Sequence, residues 1–186
     1  GSCEFCRSNR ENYCEDFMAT GWHLDGGFVE YMLADQRALL DLEGVPLDDE
    51  HTVPLLCPGV AGFAALKLAD PKPGQRLGLY GFGPTAYYVL KAAIHLGMEV
   101  YVSSRSEKNL NRARENGAVW AADTTKEPLP KNLHAAVVFP PVGGLVERAL
   151  EPLSYGGVLV LAPVAMTPIH INDYSKNLWG RDIRTL

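Results

Sequence analysis

Gly81, Gly83 and Ala86 stand in a G-x-G-x-x-A spacing inside "LGLYGFGPTAYYVLKAA", a spacing that a phosphate group can use. A glycine in the first position permits a tight turn, and a bare second position lets a pyrophosphate approach the backbone. The helix that follows offers unpaired N–H donors and the positive end of its dipole. Alanine in the third position still allows strand and helix to pack closely. The motif alone is weak, but here an apolar strand precedes it, a helix follows and a second strand lies beyond. A tight turn with no ligand, or a site for another nucleotide such as a methyl donor, shares the pattern. About twenty residues on, an NAD site places an Asp or Glu for the ribose hydroxyls. This chain has Ser104 and Arg105 there, with Lys108 a turn away. Removing the carboxylate and adding cations favours a 2′-phosphate through charge-assisted hydrogen bonds. NADP is therefore expected over NAD, and a solvated basic spot at a helix start is the plainer alternative.

The second pattern is "CEFCRSNRENYC", with Cys3, Cys6 and Cys14 spaced C-x2-C-x7-C. Tetrahedral structural zinc takes four ligands, so three thiolates need a water, a carboxylate or a further cysteine. Cys3 and Cys6 alone would make a C-x-x-C redox pair, but Cys14 and the polar loop between suit a metal better. Unligated surface cysteines are the bland reading. Cys57, in "LLCPG", stands apart and by itself reads as a buried core thiol. Tyr87, Tyr88 and His95 lie on a predicted helix face and read as structure, as do Trp120 and Trp179. The other histidines have no metal or catalytic spacing.

The elements that must position these residues are legible from periodicity. Residues 25–34, "DGGFVEYMLA", and the run "RALLDL" read as strand and turn, and 48–70 as a helix stopped by "PKPG". From "QRLGLYGFG" onward, short apolar runs alternate with amphipathic helices, the pattern of a parallel sheet covered on both faces. "NLWGRDIRTL" reads as a last strand. With 186 residues the chain is the size of one domain, with room for a piece of another. A net charge of -5 without a basic run argues against nucleic acid and anionic membrane as partners. No stretch approaches about eighteen uninterrupted apolar residues, and no secretory segment opens the chain. Neither a membrane span nor a disulfide framework is expected, and a cytoplasmic setting is.

The segments "GSCEFCRSNRENYC", "TGWHLDGGFVEY", "LLCPGVAGFAAL", "YGFGPTA", "GGLVERALEPLSYGGVLVLAPVAM" and "NLWGRDIRTL", in this order and spacing, resemble the zinc-dependent alcohol dehydrogenases of the medium-chain dehydrogenase/reductase superfamily. The similarity covers essentially the whole chain. It implies an α/β fold: a Rossmann-type doubly wound parallel sheet with a preceding fragment of a GroES-like β domain. The implied division is 1–56 for that fragment, with a partial structural-zinc lobe, and 57–186 for a linking helix and the NAD(P)-binding domain.

By the same resemblance, Cys3, Cys6 and Cys14 match the second to fourth structural-zinc ligands, the first falling before Gly1. Cys57 matches the last catalytic-zinc ligand. Gly81, Phe82, Gly83, Pro84 and Thr85 match the pyrophosphate turn, and Ser104, Arg105 and Lys108 the ribose-selecting positions. Phe139, Ala162 and Val164 match positions lining the cofactor. The family's first catalytic cysteine and its His-Glu pair have no counterpart here, and Ala61 stands where many members carry threonine. The resemblance implies an NADP-preferring oxidoreductase, NAD being possible, that interconverts small alcohols with aldehydes or ketones. It also implies a homodimer through the last strand, at Trp179–Leu186. The alternative is a catalytically inactive NADP-binding or dimerising module descended from such an enzyme. Zinc is doubtful on these ligands alone.

Overall fold

The computed structural model describes residues 1–186, which fall into two units, Gly1–Val45 and Pro46–Leu186. The first unit holds a single helical turn, α1 (Glu4–Arg7), and 3-10 turns at Glu11–Tyr13 and Gln36–Ala38. Its one β feature is an isolated bridge between Thr20 and Leu24. The strands expected at 25–34 and in "RALLDL" do not form, so no GroES-like sheet fragment is present. A strand is held by a neighbouring ladder and a buried face. Here Phe28, Tyr31 and Leu33 are 103%, 92% and 100% exposed. The alternation suits a half-buried strand, but nothing in the unit covers that face.

In the second unit the helix expected over 48–70 forms as α2 (Asp49–Pro54), a π-helical turn (Leu55–Gly59) and α3 (Val60–Ala69). The Asp48 carboxylate caps the start by accepting from the His51 N–H at 2.9 Å. Pro54 and Pro58 cannot donate to the ladder, and the wider π turn falls where they do. The whole run, Asp49–Ala69, is long and apolar enough by length and composition to cross a membrane. Its C-terminal half is nevertheless committed to the interior, with Gly62, Ala65, Leu66 and Ala69 buried.

Six strands follow: β1 (Arg76–Tyr80), β2 (Glu99–Ser103), β3 (Trp120–Ala122), β4 (Leu133–Val138), β5 (Leu153–Leu161) and β6 (Asp182–Thr185). They make one parallel sheet in the order β3-β2-β1-β4-β5-β6. The crossovers are α4 (Pro84–His95) after β1, α5 (Glu107–Glu115) after β2 and α6 (Gly144–Leu150) after β4. Between β3 and β4 the chain crosses as a loop with no helix. The last expected strand is shorter than read: Tyr174–Leu178 is a π-helical turn and only Asp182–Thr185 pairs.

Strand side chains alternate between two cores. Leu77, Leu79, Val100, Val102, Val137 and Val160 face the side covered by α3, α4 and α5. Tyr80, Tyr101, Val138, Leu159 and Leu161 face α6, with Leu129 from the β3–β4 loop. Leu133 and Ala135 fall on opposite sides because the β4–β5 register shifts between them.

The long connection from β5 to β6 is tied down by one carboxylate. Glu147 on α6 accepts from Asn172 N at 2.7 Å, Asn172 Nδ2 at 2.6 Å and Asn177 Nδ2 at 2.9 Å. The Asn177 amide first, then the Asn172 backbone N–H, hold its pKa below the ordinary carboxylate value. A depressed folded pKa stabilises fully above the unfolded value, and that contribution is lost as pH falls through the folded one. Glu147→Ala is therefore expected to lower the thermal midpoint at neutral pH, since it also strips a partner from buried Asn177. The gap between variant and parent should close in acid. Thermal melts across pH check this, and a gap that persists unchanged into acid would assign the effect to packing instead.

Candidate functional site

β1 ends at Tyr80 and the chain turns through Gly81, at φ +86°, a backbone conformation that side chains rarely adopt. Its N–H donates to Ser103 O at 2.8 Å, which draws the turn against the end of β2. Gly83 then caps α4, with Pro84 at the first helical position. A Cβ on Gly83 would meet nothing within 4 Å. The bare backbone of Gly83, at the entry to α4, thus faces open space.

That space is a cleft of about 640 Å³ along the carboxyl ends of the strands. The β1 end gives it Tyr80, Gly81, Phe82 and Gly83. The β2 end and the start of α5 give Ser103, Ser104, Arg105, Ser106 and Asn109. The β3 end gives Asp123, Thr124 and Thr125, and the β4 end Phe139 and Pro140, with Leu145 and Arg148 from α6. Ser103 and Thr124 share a hydroxyl–hydroxyl bond of 2.7 Å across β2 and β3. The Ser104 Oγ accepts from Ser106 N at 3.2 Å. Asp123 is the carboxylate of this wall, and its Oδ1 accepts from Thr125 twice, from the N–H at 3.0 Å and from the hydroxyl at 2.9 Å. Those two bonds, in that order, hold its pKa below the usual range. The β2 end itself carries hydroxyls and a guanidinium and no acid.

Gly81, Phe82, Gly83, Ser104, Arg105 and Phe139 of the expected residues line the cleft. Pro84 and Thr85 lie in the first turn of α4, outside its lining. Lys108 is exposed on α5, Ala162 packs against the core and Val164 is 89% exposed. The sequence reading missed Ser103, Asn109, Thr124 and Arg148. Asn109 could have been found from helix phase, one turn after Ser106. Ser103 precedes Ser104 directly and was within reach of the same reading, whereas Thr124 and Arg148 become neighbours only when the strand order is known.

In the first unit, the α1 turn sets Cys3 and Cys6 three residues apart on one face, with their sulfurs 3.5 Å apart. The 3-10 turn brings in Cys14, and the three sulfurs lie within 4.8 Å of one another. The Cys6 backbone N–H, and then its thiol, hold the Cys3 pKa below the ordinary thiol value. Three corners of a tetrahedral thiolate site are therefore in place. Zinc should bind the trio and be surrendered to a mild chelator, and Cys14→Ser should prevent uptake. Elemental analysis before and after chelation measures this; one zinc per chain surviving the chelator would show a fourth ligand within the chain. Cys57, read as a core thiol, is instead exposed on the π-helical turn.

The strand order, the glycine turn at a helix start and the cleft over the strand ends define a Rossmann-type dinucleotide-binding domain. No protein-family model matches the chain. It is 38% identical, over its full length, to "Probable alcohol dehydrogenase AdhA" of Mycobacterium tuberculosis, of which it covers 54%. It is 30% identical over 95% of its length to an alcohol dehydrogenase of Geobacillus stearothermophilus, covering 55% of that protein. The chain thus spans about half the length of the curated relatives it matches. Among solved structures, acetophenone reductase from Geotrichum candidum, in complex with NAD, superimposes with a TM-score of 0.87 at 19% identity, over 100% of this chain and 55% of that one. CAD from Helicobacter pylori, complexed with NADP(H), gives 0.83 at 22% identity, over 99% and 56%. The chain is a Rossmann-fold relative of the NAD(P)-binding, zinc-type alcohol dehydrogenases of the medium-chain family.

Proposed function

We propose that the chain binds NADP(H) and serves a zinc-dependent alcohol dehydrogenase that interconverts small alcohols with aldehydes or ketones. The observation that carries the reading is the cleft. A bare Gly83 faces open space at the start of α4, and Ser104 and Arg105 stand at the β2 end where an NAD site has its acid. The names of the relatives support the alcohol chemistry. In this reading residues 1–56 descend from the GroES-like domain and 57–186 form the cofactor domain. A homodimer through the edge strand β6 and a cytoplasmic setting belong to the same proposal.

When bound, the dinucleotide supplies or accepts the hydride. Gly83 and the first N–H groups of α4 would seat its pyrophosphate. The Ser104 hydroxyl and the Arg105 guanidinium would take the 2′-phosphate, and Phe139 would close the cleft beside Gly81. A catalytic zinc does not fit the residues present: Cys57 is exposed and belongs to no cluster of three ligand-type side chains. The same observation favours a second reading, an NADP-binding or dimerising module without turnover of its own.

Fluorescence titration with NADPH and NADH, followed by oxidation assays over primary, secondary and aromatic alcohols, tests both. Tighter NADPH than NADH binding, with no oxidation by this chain alone, is the expected result. Absence of NADPH binding would overturn the cofactor reading. Turnover abolished by Cys57→Ser would overturn the inactive-module reading.

A further inference from the structure

The arginines of the sheet unit separate into two groups. Arg76, Arg114, Arg181 and Arg184 donate to carboxylates or carbonyls, and Arg112 lies over the Tyr87 ring at 4.4 Å. Arg105 and Arg148 have side chains with no hydrogen bond, ion pair or aromatic ring within the chain, and both line the cleft. Arg105 stands where a ribose phosphate is expected. Arg148 is on the opposite wall, on α6, and the 2′-phosphate reading gives it no role.

Its surroundings follow from the strand order. With the pyrophosphate at Gly83 and the ribose at the β2 end, the base must continue away from α4. It then lies between the ends of β2 and β3 and the facing wall of α6. The β2–β3 side is the bonded pair Ser103 and Thr124. The floor is Tyr80, whose ring is buried and whose hydroxyl donates to the Arg148 carbonyl at 3.1 Å, fixing that residue's backbone.

Because the chain crosses from β3 to β4 without a helix, no helix covers this end. A second opening of about 90 Å³ is left instead, bounded by Pro128, Lys131 and Glu151. It shares Tyr80, Thr124 and Arg148 with the cleft, so Arg148 stands at the junction. Phe139 enters the cleft from the β4 end, beside Gly81, with its Cβ 3.7 Å from where a Gly81 Cβ would be. At the base end the flat, unpartnered group is the Arg148 guanidinium.

The geometry points to Arg148 as the residue that holds the adenine of the dinucleotide, its guanidinium packing on the face of the base. This inference rests on the dinucleotide reading of the cleft. It divides the work between two arginines: Arg105 reads the 2′-phosphate and Arg148 reads the base, which NADPH and NADH share.

Dissociation constants for both cofactors, measured by fluorescence titration on the full chain and on Arg148→Ala, Arg148→Lys and Arg105→Ala, test it. Arg148→Ala should weaken NADPH and NADH by the same factor, roughly tenfold, as expected for loss of a planar cation against a ring. Arg148→Lys should recover little, since an ammonium has charge but no plane. Arg105→Ala should weaken NADPH selectively. The Arg148 side chain is exposed and makes no hydrogen bond or ion pair within the chain, so a thermal melt matching the parent should accompany each result. Unchanged affinity in Arg148→Ala, a loss confined to NADPH, or full recovery in Arg148→Lys would each overturn the assignment while leaving the cofactor reading intact. A parent chain that binds neither cofactor would overturn both.

Discussion

Gly83→Val is expected to fold like the parent and to lose NADPH binding on the order of a hundredfold or more, because its side chain occupies the space of the pyrophosphate. The two halves of that expectation have separate grounds. A Cβ at Gly83 meets no atom within 4 Å, and its φ of -98° is open to any residue. The fold therefore gives up little beyond the glycine's merit as a helix cap, about 1 kcal/mol. Gly81 is the contrasting position. Its φ is +86° and a Cβ would come within 2.8 Å of the Pro140 ring, so Gly81→Val should lose stability and binding together. Titration alongside thermal melts separates the cases. Tight NADPH binding by a folded Gly83→Val would remove the phosphate from this turn.

Ser104→Asp is expected to move the ratio of NADPH to NADH affinity towards NADH by roughly one to two orders of magnitude. A carboxylate at the β2 end accepts from a 2′-hydroxyl and repels a 2′-phosphate, which carries about two negative charges. Asp123 stands at the β3 end rather than the β2 end, and Thr125 holds its Oδ1 with two hydrogen bonds. Arg105 remains in the variant and still attracts phosphate, so a complete inversion should need Arg105→Ala as well. The two arms must be measured at one ionic strength, since the repulsion is screened by salt. An unchanged ratio would place cofactor selection elsewhere in the cleft.

The centre of the sheet was legible because its strands announce themselves locally. "RLGLY", "EVYVS" and "LHAAVV" are short, apolar and bounded by turn residues, as strands buried on both faces must be. The glycine turn and the β2 end were legible because a single crossover connects them, with fixed spacing. The far wall of the cleft was not. Thr124 and Arg148 are distant in sequence and meet only because β4 lies next to β1. The strands expected in residues 25–42 failed for a related reason. Alternation reports a face that could be buried, while a strand also requires something to bury it against, and Phe28 and Leu33 have nothing in their own unit. Cys57 misled in the opposite direction: its apolar neighbours suggested the core, but it falls on the outward side of a π-helical turn.

The first unit buries one apolar side chain, Cys14, and this has a calorimetric meaning. The heat-capacity increment of unfolding scales with apolar surface newly exposed to water, and nearly all such surface in this chain belongs to residues 46–186. A thermal transition therefore measures the sheet, and its curvature with temperature would be nearly the same if residues 1–45 were already extended. For those residues, order is decided by a few short-range hydrogen bonds and by whatever engages the three thiols. Ligation of those thiols would then appear as an enthalpy of binding, with little change in heat capacity.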